Sequence, residues 1–193
     1  MPLDSPDLTE FTTASPVLVN YNVTNILSGT AYQDYYLAQS KSTTSFNKIA
    51  VLNTYSSSSR EFNIPTGVQY FDFPVINLHI EVFGTAIFQI SFEPAADMNV
   101  TFTLVKSSGG VESDVGTAVV VNTPGSAEKK YLIQYPITTK VNFAKGDFIR
   151  LKILKSDAHN NYIGTDPANE AATVLPAGYT KSTISIPSPL PNQ

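Results

Sequence analysis

Beyond about residue 68, hydrophobic and polar residues alternate with a period of two over most of the chain, the repeat of half-buried β-strands. From Val75 to Phe83, Ile76, Leu78, Ile80 and Val82 share one face, and Asn77, His79 and Glu81 the other. Ala86 to Glu93 sets Phe88, Ile90 and Phe92 against Gln89, Ser91 and Glu93. From Phe148 to Leu154, Ile149, Leu151 and Ile153 oppose Arg150 and Lys152. The same reasoning predicts strands over residues 99–106, 116–122, 130–138 and 180–187. Turn-forming residues separate them, at Pro94 to Asp97, Ser107 to Gly110, Asn122 to Gly125 and Ala144 to Asp147. Short strands at this spacing, with no helical period between them, predict an all-β fold: an antiparallel two-sheet sandwich of jelly-roll type.

The first third reads differently. Val17 to Val23 and Lys48 to Tyr55 have strand character, as does Glu61 to Pro65, with Ser56 to Ser59 as a break between the last two. Ala31 to Ser40, with three tyrosines, is read as a short helix. Met1 to Pro16 holds prolines at 2, 6 and 16 and only Leu3, Leu8 and Phe11 as isolated apolar anchors, too few to bury a core. The predicted organisation is an extended N-terminal arm over residues 1–16, a sandwich over 17–187 with its core strands mainly in 68–187, and a C-terminal tail over 188–193. Three prolines in Pro187 to Gln193 rule out a helix or a central strand there.

Composition narrows the function. Charged residues make up only 15% of the 193, below the roughly 25% of ordinary soluble domains, and Ser, Thr and Asn supply the polarity instead. A net charge of −4 with two arginines, Arg60 and Arg150, argues against a nucleic-acid partner, which calls for clustered cations. No cysteine is present, which removes disulfides, thiolate metal sites and a cysteine nucleophile. The longest apolar runs are a few residues, against the ~20 of a membrane-spanning helix. The N-terminal sequence is not that of a secretory signal, so synthesis in a cytoplasm is expected.

Candidate chemistry is sparse. His79 lies beside Glu81 on a polar strand face, where a solvated histidine is the simpler reading. Asp157-Ala-His-Asn-Asn161 offers oxygen and imidazole ligands, yet its spacing fits no calcium loop, and turn-forming Asp and Asn explain it as well. Glu81 and Glu93 would stand as paired carboxylates if they lay on neighbouring strands. No Gly-x-Ser-x-Gly elbow occurs. Asn22-Val-Thr24 and Asn99-Val-Thr101 match a glycosylation pattern but fall in predicted strands. No catalytic residues, metal ligands or cofactor are expected. Peripheral tyrosines, Tyr162 among them, combine apolar area with a hydrogen-bonding tip and suit sugars or protein interfaces.

Taken together, Lys145-Gly-Asp-Phe-Ile-Arg-Leu-Lys-Ile153, Asp166-Pro-Ala-Asn169 and Ser182-Thr-Ile-Ser-Ile-Pro187 resemble the C-terminal part of virion structural proteins of tailed bacteriophages. These are small cement, decoration or head-fibre proteins, often trimeric, with sandwiches akin to tumour-necrosis-factor-like jelly rolls. Thr165 and Ser188 stand where such sequences often carry an aromatic residue or a histidine, and an aromatic residue, respectively. The resemblance implies a non-enzymatic capsid cement or decoration protein on the virion surface, its partners the major capsid protein and further copies of itself as a homotrimer, with no nucleic acid or membrane. Leu3, Leu8 and Phe11 are the expected arm contacts. The alternative is a carbohydrate- or receptor-binding module of a viral fibre or tail, using a loop surface with Tyr162, Asp166 and Asn169. A sugar-processing enzyme on the same fold is the third reading.

Overall fold

Alternation in the sequence becomes pairing in space. The computed structural model describes residues 19–20, 30–41, 46–52, 54, 57, 59–123, 125 and 128–189. Among these there are thirteen strands and no helix. They are β1 (Val19–Asn20), β2 (Thr30–Lys41), β3 (Phe46–Val51), β4 (Glu61–Asn63), β5 (Gly67–Asp72), β6 (Ile80–Pro94), β7 (Met98–Ser108), β8 (Val111–Asp114), β9 (Val119–Thr123), β10 (Lys129–Phe143), β11 (Phe148–Lys155), β12 (Asn161–Gly164) and β13 (Thr183–Pro189).

One hydrogen-bonded path runs β4-β12-β6-β13-β2-β3-β5-β11-β7-β8, with β10 added to β6, β1 to β2 and β9 to β7. Every pairing is antiparallel except one bridge between β3 and β5, at Ile49 and Asp72. The strands therefore form a mixed sheet rather than the purely antiparallel pair of sheets expected. The path folds over on itself. Phe88 of β6 and Phe102 of β7 lie six steps apart along it, yet their rings are 6.3 Å apart, and Phe92 reaches the same Phe102 at 5.9 Å. Between the facing halves lies the core, in which Leu37, Phe71, Phe88, Phe92, Leu104, Tyr135 and Leu151 are fully buried. The Tyr135 hydroxyl, buried with its ring, accepts the Leu104 N–H at 3.2 Å, so the burial leaves that polar tip partnered.

Three expectations need correction. Residues 31–40 belong to β2, not to a helix. Tyr35 and Leu37 point into the core at strand spacing, Tyr35 edge-on to Phe73 at 4.7 Å, and the backbone of β2 is taken up by β13 and β3. Tertiary pairing decides over local composition here. The strand expected over 75–83 starts only at Ile80, leaving Val75 and Leu78 exposed. From Ile80 it runs on to Pro94 without the expected break. Gly84, in the left-handed region at φ 115°, absorbs the irregularity while β10 pairs along both sides of it. Finally, β8 was not anticipated: its four residues are all exposed and carry no alternating signal.

Leu3, Leu8 and Phe11 of the expected arm lie outside the described residues, as does Tyr55.

Candidate functional site

The loop from Asp157 to Asn169 was expected to offer an interaction surface, and its interior is instead locked in place. Asp166 is fully buried. Its carboxylate accepts the N–H groups of Ser57 (3.0 Å), Ala168 (3.3 Å) and Glu170 (2.9 Å), and Arg60 stands 4.0 Å away. Its own N–H is donated to the Thr180 carbonyl. Asp166 is thus a strut that ties Ser57 and both ends of the loop together. Asn169 sits in the left-handed region at φ 61°, which asparagine tolerates, and its Oδ1 accepts the Lys181 N–H at 3.2 Å. Gly164 allows the approach: a Cβ there would stand 2.5 Å from the Thr180 carbonyl group. Tyr162 is half-buried in β12 between Asn63 and Glu93. Of the three predicted loop residues, Asp166 is buried with its carboxylate taken up inside the chain, while Tyr162 and Asn169 are half-buried.

The other sequence candidates separate. Glu81 and Glu93 lie on one strand, twelve residues apart, which is on the order of 40 Å and far beyond the reach of a paired-carboxylate mechanism. Glu81 binds Lys140 at 2.8 Å. His79 is exposed in the segment before β6. His159 caps a turn, its N–H donated to Asp157 Oδ1 at 3.0 Å. Among the described residues no three His, Cys, Asp or Glu side chains gather as metal ligands.

What the sequence reading missed is a groove of about 340 Å³ on the outer face of the sheet, across β10, β6, β13 and β2. Register builds it row by row. Leu132, Gln89, Thr183 and Tyr36 stand opposite one another in one row, and Gln134, Ile87, Ser185 and Asp34 in the next. The Ser185 hydroxyl is donated to Asp34 Oδ1 at 2.6 Å. The Lys181 ammonium lies 4.6 Å from the centre of the Tyr36 ring. Burial, followed by the nearby Asp34 carboxylate, pushes the Tyr36 hydroxyl's pKa up. Leu132, on β10 at the edge of this face, is 71% exposed. Beyond the rim, Lys130 lies over Tyr179 at 5.7 Å. Part of the signal was present in the strand alternation, because Gln89 and Ser185 fall on polar faces, but Asp34 lay in the segment read as a helix and only the strand order brings the three together.

No protein-family profile and no curated protein sequence matches the chain. Among solved structures, it is similar to a CocE/NonD family hydrolase from Staphylococcus aureus, with a TM-score of 0.55 at 9% identity, over 83% of this chain and 37% of that one. It also aligns with Eiger TNF from S. frugiperda, with a TM-score of 0.41 at 6% identity, over 84% and 94% of the two chains. The chain spans little more than a third of the hydrolase, and at this identity the likeness shows the fold alone.

Proposed function

We propose that this chain is a non-enzymatic virion structural protein, a capsid cement or decoration protein built on a jelly-roll-type sandwich. In this reading it acts as a homotrimer and holds the major capsid protein through its N-terminal arm and C-terminal tail. One observation supports this most directly. Gln33 of β2 is flanked by Val19 on one side and Ile186 on the other, so the strands adjoining the two ends both lie against β2, about 10 Å apart. Because both strands run antiparallel to β2, the chain enters β1 and leaves β13 toward opposite ends of that strand, which suits two proline-rich ends that grip adjacent subunits. The segments that carry the resemblance also have structural roles. Ala144 to Asp147 is a tight turn, β11 is a core strand, Asp166 locks the loop, and β13 lies between β6 and β2.

An enzymatic role has less support. Glu81 and Glu93 are remote from each other, and the chain contains no nucleophile elbow. The alternative of a fibre or tail module that binds carbohydrate or a receptor differs in copy number per particle and in what it binds.

The arm tests the cement reading. Removing residues 1–16 is expected to leave the far-ultraviolet circular dichroism nearly unchanged and to abolish sedimentation with capsids. Leu8→Ser with Phe11→Ser should reproduce much of that loss, since each substitution removes roughly 1.5–3 kcal/mol of burial at a partner surface. A truncated chain that decorates particles as tightly as the full one contradicts the mechanism.

A further inference from the structure

We infer that the outer-face groove across β10, β6, β13 and β2 is a carbohydrate-binding site for a short stretch of neutral polysaccharide. The juxtaposition that carries it is an apolar floor edged by both a cation and an anion. Leu132 and Ile87 present hydrocarbon to the groove, in adjoining rows. Lys181 offers an ammonium that forms no ion pair among the described residues and rests on the Tyr36 ring. Asp34 and Gln89 supply acceptors. A sugar ring has the matching make-up: a C–H face for the floor, and hydroxyls that both donate and accept.

Other ligand classes fit less well. A peptide strand could add to the outer edge of β10, which pairs only with β6 among the described residues, but it would then lie beside the groove, whose inner strands are hydrogen-bonded to one another from β10 through β6 and β13 to β2. Side chains alone must therefore read the ligand. Nucleic acid and other polyanions meet Asp34 within the groove and Glu93 farther along β6, which offset Lys181 and Lys130. A metal lacks the ligand set. The volume of about 340 Å³ lies in the range of small-ligand sites. Its long axis, from Leu132 to Tyr36, covers three strand spacings, about 14 Å, the reach of a short oligosaccharide. Such a site suits a protein on a particle surface that meets cell-wall or capsule glycans, yet the assignment stands whether the chain is cement or fibre. Copy number tests the location and glycan binding tests the groove, so either can fail without the other.

The test is calorimetry of the full chain against gluco-, xylo-, manno- and galacto-hexasaccharides, with oligogalacturonate as the acidic comparison. At least one neutral hexasaccharide should bind. Lys181→Ala and Gln89→Ala should each weaken that binding at least tenfold without moving the melting midpoint. Leu132→Arg, at an exposed position, should block the groove if either alanine variant proves unstable. Lys152→Ala, on β11 in the other half of the sheet, should bind as the parent does. Three results overturn the proposal: no binding by any neutral member at millimolar concentration, binding that survives Leu132→Arg, or binding of oligogalacturonate alone.

Discussion

Asp147 shows how much one side chain carries at a turn. Its carboxyl is held down, from an ordinary 3.8 to about 2. The Ser108 hydroxyl is the largest cause, followed by the Ala144 N–H and the Lys106 ammonium, the last two at 2.8 and 3.0 Å. Gly146, at φ 97°, supplies the left-handed position that the turn from Ala144 to Asp147 requires. A carboxylate whose folded pKa lies below its unfolded one stabilises the fold above the unfolded value, and that contribution is lost as pH falls through the folded value. The window here runs from about pH 4 down to about pH 2. Asp147→Asn should therefore lower the melting midpoint at pH 7 and flatten its fall between pH 4 and pH 2. Melting curves at pH 7, 4 and 2 check this, and an unchanged acid profile would contradict it. The turn was legible from Gly146 and Asp147, but the Lys106 and Ser108 partners were not, because they sit on a strand some forty residues away in sequence. Lys155 makes a similar point. Parity along β11 puts it on the apolar face with Ile153, and it is buried there with its ammonium donated to the His159 carbonyl and its pKa lowered by that burial.

Strand parity was the most legible property of the elements. Ile149, Leu151 and Ile153 are buried, and Ile184 and Ile186 with them, as alternation required. Leu151→Ala should cost about 2–5 kcal/mol, whereas Lys152→Ala on the opposite face should stay near the parent. Equal shifts in chemical denaturation would contradict the assignment of the two faces. Alternation misled over residues 75–79, where Leu78 is 76% exposed, because the pattern does not show whether a partner strand is present. It was silent on β8. For the loop after β12, the sequence showed a polar excursion and left the orientation of Asp166 open. A carboxylate inside a loop, receiving three N–H groups, is a folding device. Asp166→Ala leaves the buried Ser57 N–H unpaired, at roughly 1–3 kcal/mol, frees the more exposed Ala168 and Glu170 N–H groups at smaller cost, and should open residues 167–179 to proteolysis before global unfolding. Resistance equal to the parent's would mean that the loop is held by other contacts.

At the scale of the whole molecule, the all-β class was legible from short strands and turn chemistry, while the mixed path was not. The single parallel bridge between β3 and β5 depends on how the first third joins the later strands, and local period carries no information about that. The groove was illegible for the same reason, since its rows draw on four strands scattered from Asp34 to Ser185. The capsid proposal rests on a resemblance over residues 145–187 and on β1 and β13, the first and last described strands, both adjoining β2. It makes a claim about number that no single-chain property imitates, because a cement protein occupies a repeated position on the shell. The most direct measurement is quantitative mass spectrometry of purified particles, giving copies of this chain relative to the major shell protein. The account predicts hundreds of copies per particle, at a stoichiometry comparable to the shell protein. A handful of copies, or none, would contradict it.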